Sequence, residues 1–194
     1  TRKESSAASD VYKRQRLPLA TSAATGFAVM AVGDGAVQVG LDGAIDAQRV
    51  AVSSTYNGLV YAPVMHVWWG KLDAWWPGRT AGAVVRKVLV NQIVITPFNS
   101  LCFISWSKLI GAAATGARGG ERVDWLAVRA QTEAHLRAEL PTLLATSCAF
   151  WPFAHACNFA FAPISLRIFF MSTCSVGWGG YLSYVSHRLS PSSS

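Results

Sequence analysis

The chain has 194 residues, of which 52% are hydrophobic and 14% charged, against roughly 25% charged in an ordinary soluble domain. That deficit excludes a disordered chain, and with a mean hydropathy of +0.29 it argues against a water-soluble monomer and for a bilayer. The formal charge of +7 does not mark a nucleic-acid partner, because the first sixteen residues carry five Lys and Arg against two acids and so hold +3 of it in a tail without apolar periodicity.

Within that tail, Ser9-Asp10-Val11-Tyr12-Lys13-Arg14-Gln15 resembles a translated sequencing adapter. Residues 1–16 are therefore expected to be a non-native or disordered tail and are set aside. Five apolar stretches follow, at 17–39, 52–69, 84–110, 140–161 and 164–185. Most meet the ~20 residues that a helix needs to cross a ~30 Å hydrocarbon layer. The second is short, and only Ala162-Pro163 separates the last two, which are either two crossings or one crossing and an interfacial helix. The expectation is an all-α polytopic transmembrane bundle of four or five spans, forming a single domain over 17–188, with a disordered tail at 189–194.

Loops are predicted at 40–51, 70–83 and 111–122, the last carrying Gly116-Ala117-Arg118-Gly119-Gly120. From 122 to 139 the pattern is amphipathic: Arg129, Glu133 and Arg137 repeat at i+4, while Trp125, Val128, Leu136 and Leu140 share an apolar side. Two readings fit it, an interfacial helix leading into the fourth span and a solvated connector. Trp68, Trp69, Trp75, Trp76, Trp106, Trp125 and Trp178 fall near span ends, as an aromatic belt requires, whereas Trp151 lies mid-span and is expected inside the bundle. Ala20, Ala24 and Ala28 form a small-residue ridge suited to close helix packing. Basic residues divide five against seven between the two faces of a five-span arrangement, which leaves orientation open.

Cys102, Cys148, Cys157 and Cys174 stand apart inside apolar runs and read as buried free thiols; with histidines 66, 135, 155 and 187 they show no metal spacing. The sequence has no phosphate-binding loop, dinucleotide fingerprint, nucleophile elbow or zinc-protease motif, so neither an enzyme nor a cofactor is expected.

Several short motifs fall into one order. Gly33-Asp34 and Gln38 close the first stretch; Gly58, Pro63, His66 and Trp68 mark the second; Leu72-Asp73 and Pro77-Gly78 follow. Lys87, Asn91-Gln92 and Pro97 belong to the third, and Trp151-Pro152, Asn158-Phe159, Pro163, Arg167 and Trp178-x-x-Tyr181-Leu182-Ser183 complete the set. Over 17–188 this resembles the Mpv-seventeen family, also named for the twenty-two-kilodalton peroxisomal membrane protein. Two positions depart from the pattern: the usual Asp-Gln pair is Asn91-Gln92, and the usual Gln after Trp-Pro is His155. The resemblance implies a small integral protein of the mitochondrial inner membrane, or of the peroxisomal or another organelle membrane. It also implies a pore or transport role for small solutes, serving metabolite and redox balance.

Helical rise places Asp34 roughly 9 Å from midplane on the side away from the N-terminus, with Ser53 and Asn57. His66, Asn91, Gln92, His155, Asn158 and Arg167 fall about 7–11 Å from midplane on the other side. Because unpaired polar groups are costly in hydrocarbon, these residues should turn inward, either lining water or knitting helices together. Asp34, with Arg49 or Lys108 as partner, and Gln38 complete the pore or polar-layer candidates. Arg167 is expected to bond carbonyls near Pro163 and the amides of Asn91, Gln92 and Asn158, with His66 adjoining. The expected surroundings are lipid, small solutes, and a homo-oligomer or larger complex; the rival reading is a structural or assembly subunit of such a complex.

Overall fold

The computed structural model describes residues 2–119 and 122–189, with side chains over 18–41, 43–114, 116–117 and 122–181. Of the tail expected at 1–16, residues 2–16 are helical and open the first helix; of the tail expected at 189–194, Leu189 ends the last helix and the rest lies outside the described residues. Five helices carry the described chain, and no strand occurs among the described residues. Helix α1 is Arg2–Asp42. Helix α2 joins Ala47–Tyr56, a π-helical turn Asn57–Tyr61 and Ala62–Trp75. Helix α3 is built the same way, from Ala81–Val90, a π-helical turn Asn91–Ile95 and Thr96–Gly119. Helix α4 is Trp125–Phe161 and α5 is Arg167–Leu189.

The two π turns have a common cause. Pro63 and Pro97 each follow a buried Asn by six residues, at Asn57 and Asn91. A proline inside a helix lacks its N–H, and its ring strikes the carbonyl four residues back. One extra residue in the turn relieves the clash, so the amides of Ala62 and Thr96 reach back five residues to the carbonyls of Asn57 and Asn91. Helix starts are fixed by side chains: Asp46 caps α2 by accepting from the amides of Gln48 (2.9 Å) and Arg49 (3.1 Å), and Asp124 caps α4 in the same way.

The helices close into a ring in chain order, with α1 packed most extensively along α2 and next on α5, α2 on α3, α3 on α4, and α4 on α5. The tightest crossings are made by glycine. A Cβ on Gly33 would meet Val176 at 2.5 Å, and one on Gly58 would meet the Phe27 Cβ at 2.8 Å and the Ala23 carbonyl at 3.1 Å. Ala20, Ala24 and Ala28, the expected packing ridge, are exposed instead. The alanine spacing identified a ridge, but the face that packs belongs to the residues lacking a side chain.

Pro18–Leu41 and Ala81–Ala114 are long and apolar enough to cross a membrane. The exterior is apolar, with Val32, Leu59, Ile93, Phe153 and Phe161 largely exposed. The loops are shorter than expected: α3 continues through the predicted loop at 111–122 as far as Gly119, and of the amphipathic stretch 122–139 all but the first three residues form the start of α4. With 37 residues α4 is about 55 Å long, more than a bilayer core requires. Val128, Leu136 and Leu140 are partly buried there, while Trp125 is exposed. The aromatic belt also needs correction. Trp69 is fully buried, Trp106 donates to the Thr55 hydroxyl, and Trp178 stacks on Phe150 at 5.0 Å, so these rings pack the bundle as Trp151 does. Cys148 is exposed, whereas Cys102, Cys157 and Cys174 are partly buried free thiols.

Candidate functional site

A cavity of about 860 Å³ occupies one half of the ring and is lined by all five helices. Its mouth lies where α1 and α3 end and α2 and α4 begin, among Asp46, Gln48, Arg49, Ser107, His135 and Glu139. Inward, hydroxyl and amide side chains such as Ser53, Asn57, Thr96, Asn99, Ser147 and Ser175 alternate with Val52, Tyr56, Ile104 and Trp178. The innermost lining includes Tyr61, Ile95 and His155.

Asp34 lies in the mouth half. The Arg49 guanidinium pairs with it at 3.1 Å, and Gln38 (2.9 Å) and Ser53 (3.2 Å) donate to its other oxygen. Gln38 Oε1 in turn accepts from the Asp46 amide at 2.6 Å, tying the end of α1 to the start of α2. Of the two partners considered for Asp34, Arg49 is the one used. Below, Ser172 of α5 donates to Asn57 Oδ1 at 3.0 Å. As depth required, Asp34 and Arg167 have separate partners.

The second polar layer is only partly the one expected. Trp68 Nε1 donates to Asn91 Oδ1 at 3.1 Å, and Asn91 Nδ2 lies 2.8 Å from His155 Nε2. An indole N–H can only donate, so it fixes the Asn91 amide with oxygen toward Trp68 and nitrogen toward His155. His155 Nε2 therefore accepts, and the ring proton sits on Nδ1, which has no partner among the described residues. The other four residues diverge. Gln92 turns to the α4 flank and donates to Cys148 Sγ at 3.4 Å; His66 shares a hydrogen bond with Ser22 of α1 at 3.1 Å. Asn158 is fully buried, and neither side-chain atom is bonded among the described residues. Arg167 joins none of the three expected amides; its Nε reaches the Ala162 carbonyl beside Pro163 at 3.4 Å, as anticipated, but its Nη1 binds Asp73 Oδ2 at 2.7 Å.

That carboxylate, with Lys87, is what sequence reasoning missed. Lys87 Nζ binds Asp73 Oδ1 at 2.7 Å and the Gly78 carbonyl at 3.0 Å, the latter offered by a loop glycine at φ 87°. The two cations are buried around one carboxylate, and the ring of Phe159 faces both, 5.8 Å from Lys87 and 5.2 Å from Arg167. The π face supplies partial negative charge to a group with one cation in excess. Burial opposes ionisation of Asp73, but hydrogen bonds from Lys87 and Arg167, and their charge, outweigh it and hold the carboxyl below its ordinary value. Leu72-Asp73, Lys87 and Arg167 were all present among the sequence motifs; the missing signal was that the α2–α3 hairpin returns Lys87 to Asp73. Between this triad and the cavity lie Trp69, Phe159 and Met171, all fully buried. The bundle is thus hollow in one half, where polar groups are set into a mostly apolar lining, and filled in the other.

The family described as Mpv17 / PMP22 family matches residues 128–183. "PXMP2/4 family protein 4" of Dictyostelium discoideum is 27% identical over 175 residues, covering 87% of this chain and 86% of its own. Human "Mitochondrial inner membrane protein Mpv17" is 30% identical over 127 residues, 66% of this chain and 64% of the relative. "Peroxisomal membrane protein PMP22" of Arabidopsis thaliana is 26% identical over 172 residues, 87% and 83% of the two chains. No solved structure matches. The relatives align beyond the matched segment into the helices that carry Asp34, Asn91 and the Asp73 triad, so that over most of its length the chain is similar to the Mpv17 / PMP22 family of membrane proteins.

Proposed function

We propose that the protein conducts small solutes across an organelle membrane through its central cavity, carries out no reaction, and uses all five helices as crossings. The cavity carries this reading: a scaffold needs helix contacts, not about 860 Å³ of space lined by all five helices, with a carboxylate from α1 and hydroxyl or amide groups from the other four set among apolar side chains. Inward-facing polar residues also lower the apolar content of α2 and α4, which accounts for crossings that composition alone does not single out. In the conformation described, the filled half around Phe159 and the Asp73 triad closes the path, so conduction requires that half to open. Reconstitution into liposomes tests the reading. Solute or ion permeability above the lipid background is expected, and its absence across voltage and redox conditions would refute it.

The filled half favours a second reading, a structural or assembly subunit in which polar contacts serve packing alone. Purification in mild detergent separates the two: stoichiometric co-purification with a large complex supports the subunit, and a small homo-oligomer supports the conduit. For location we propose the mitochondrial inner membrane, with the peroxisomal membrane as the alternative, since relatives are named for each. Imaging of the full-length protein against markers of both organelles decides it, and coincidence with the peroxisomal marker would overturn the mitochondrial assignment.

A further inference from the structure

A second pocket, of about 600 Å³, adjoins the cavity mouth. Gln48, Ser107 and His135 line both spaces, so the two are contiguous through a shared wall. The outer pocket adds Lys108 of α3, Arg122 just before α4, and Gln131. No Asp or Glu occurs among its described lining residues, and neither Lys108 nor Arg122 forms an ion pair among the described residues. The charge arrangement of the inner cavity is different: Asp34 and Arg49 neutralise one another there, and Asp46 and Glu139 add negative charge at the mouth.

We propose that this outer pocket seats a phosphate or carboxylate group whose uncharged remainder extends into the cavity. Two permanent cations flanked by the amides of Gln48 and Gln131 match an oxyanion in charge and in donor number, while the Ser107 hydroxyl is already spent on the Ile104 carbonyl at 2.9 Å. Unpaired cations beside a low-dielectric wall concentrate anions from solution. The carboxylates of Asp46 and Glu139 hold the anionic end outside, while the mixed hydroxyl and apolar lining accepts an uncharged body. The solute class is thus small phosphate- or carboxylate-bearing molecules. This role as a solute filter rests on the conduction reading, but occupancy of the seat does not. The same chemistry is offered by a free solute and by an anionic lipid headgroup.

Calorimetry on the full chain in phosphatidylcholine nanodiscs, with inorganic phosphate against chloride at matched ionic strength, tests the seat. Phosphate is expected to bind, with affinity about tenfold or more weaker in the Lys108→Gln/Arg122→Gln double variant, because two charge-assisted donors are lost. The charge-retaining Lys108→Arg/Arg122→Lys double variant is expected to keep binding, which separates loss of charge from loss of fold. Nanodiscs containing phosphatidic acid separate the sources: competition with phosphate in the parent but not in the Gln variant assigns the seat to a lipid headgroup, and absence of competition assigns it to a free solute. No phosphate binding beyond chloride, or undiminished binding in the Gln variant, would overturn the proposal. Phosphate binding without liposome permeability would keep the seat and remove conduction, and permeability without phosphate binding would do the reverse.

Discussion

Asp73→Asn removes the only full negative charge that Lys87 and Arg167 bind in the described structure. Their side chains are 1% and 4% exposed, and each meets Asp73 at 2.7 Å. At that separation and an effective dielectric of ~20, each pair is worth about 6 kcal/mol before desolvation. Much of that offsets the cost of burying the cations, and breaking a buried pair by removing one partner costs about 3–5 kcal/mol. Asp73 itself keeps 30% exposure, so water screens part of its charge and the lower end, about 3 kcal/mol, is expected. At about 2–4 °C per kcal/mol for a chain of this size, the variant should melt about 6–12 °C below the parent in detergent. A melting temperature within about 2 °C of the parent would show that water or Phe159 already neutralises the cations. Arg167→Lys should fall between Arg167→Ala and the parent, since ammonium keeps the charge but loses the planar fork. The pH dependence has a definite sign. Because the folded Asp73 carboxyl titrates below its ordinary value, its stabilisation is complete above that value and is lost as pH falls through the folded one. The acid limb of the parent's melting profile should therefore be steeper than that of Asp73→Asn.

Gly58→Ala drives a Cβ against the Phe27 Cβ and the Ala23 carbonyl, neither of which can rotate away. It should lower stability by about 1–3 kcal/mol in detergent melting, and a neutral result would show that α1 and α2 separate freely. Asn158→Leu replaces a buried amide without partners by an apolar group of similar volume. It should raise stability by about 1–2 kcal/mol; destabilisation would mean that the amide is bonded in the membrane.

Long apolar runs bounded by loop residues marked the helices, but not their starts, which the caps at Asp46 and Asp124 set. The sequence overestimated loop length at Gly116–Gly119 because helix propensity counts glycine as a breaker, whereas α3 runs on as far as Gly119. Helical rise set Asp34 and Arg167 apart along the helix axes, and the two bind different partners. Azimuth was not legible. A residue count places six polar groups at one level but does not state which face of each helix turns inward. Hence Gln92, next to Asn91, points to Cys148, and His66 points to Ser22. The π turns at Asn57 and Asn91 add to this, since each rotates every later residue relative to a regular helix.

The two departures from the family pattern, Asn91 and His155, meet one another directly at 2.8 Å. With the usual Asp and Gln, a carboxylate would accept both from the Trp68 indole and from the Gln amide. Here the Asn91 oxygen still accepts from Trp68, but its nitrogen must donate, so the α4 partner has to be an acceptor, and the Nε2 lone pair of His155 is one. The pair thus reads as a compensating exchange that reverses the direction of one buried hydrogen bond and leaves its geometry intact. A double-mutant cycle tests this. The combined Asn91→Asp and His155→Gln variant is expected to melt near the parent. Asn91→Leu and His155→Leu should each cost about 1–3 kcal/mol, with a coupling energy of about 0.5–3 kcal/mol between them. Additive losses in the leucine cycle would show that each residue is satisfied by some other group, and that the exchange in sequence is coincidental.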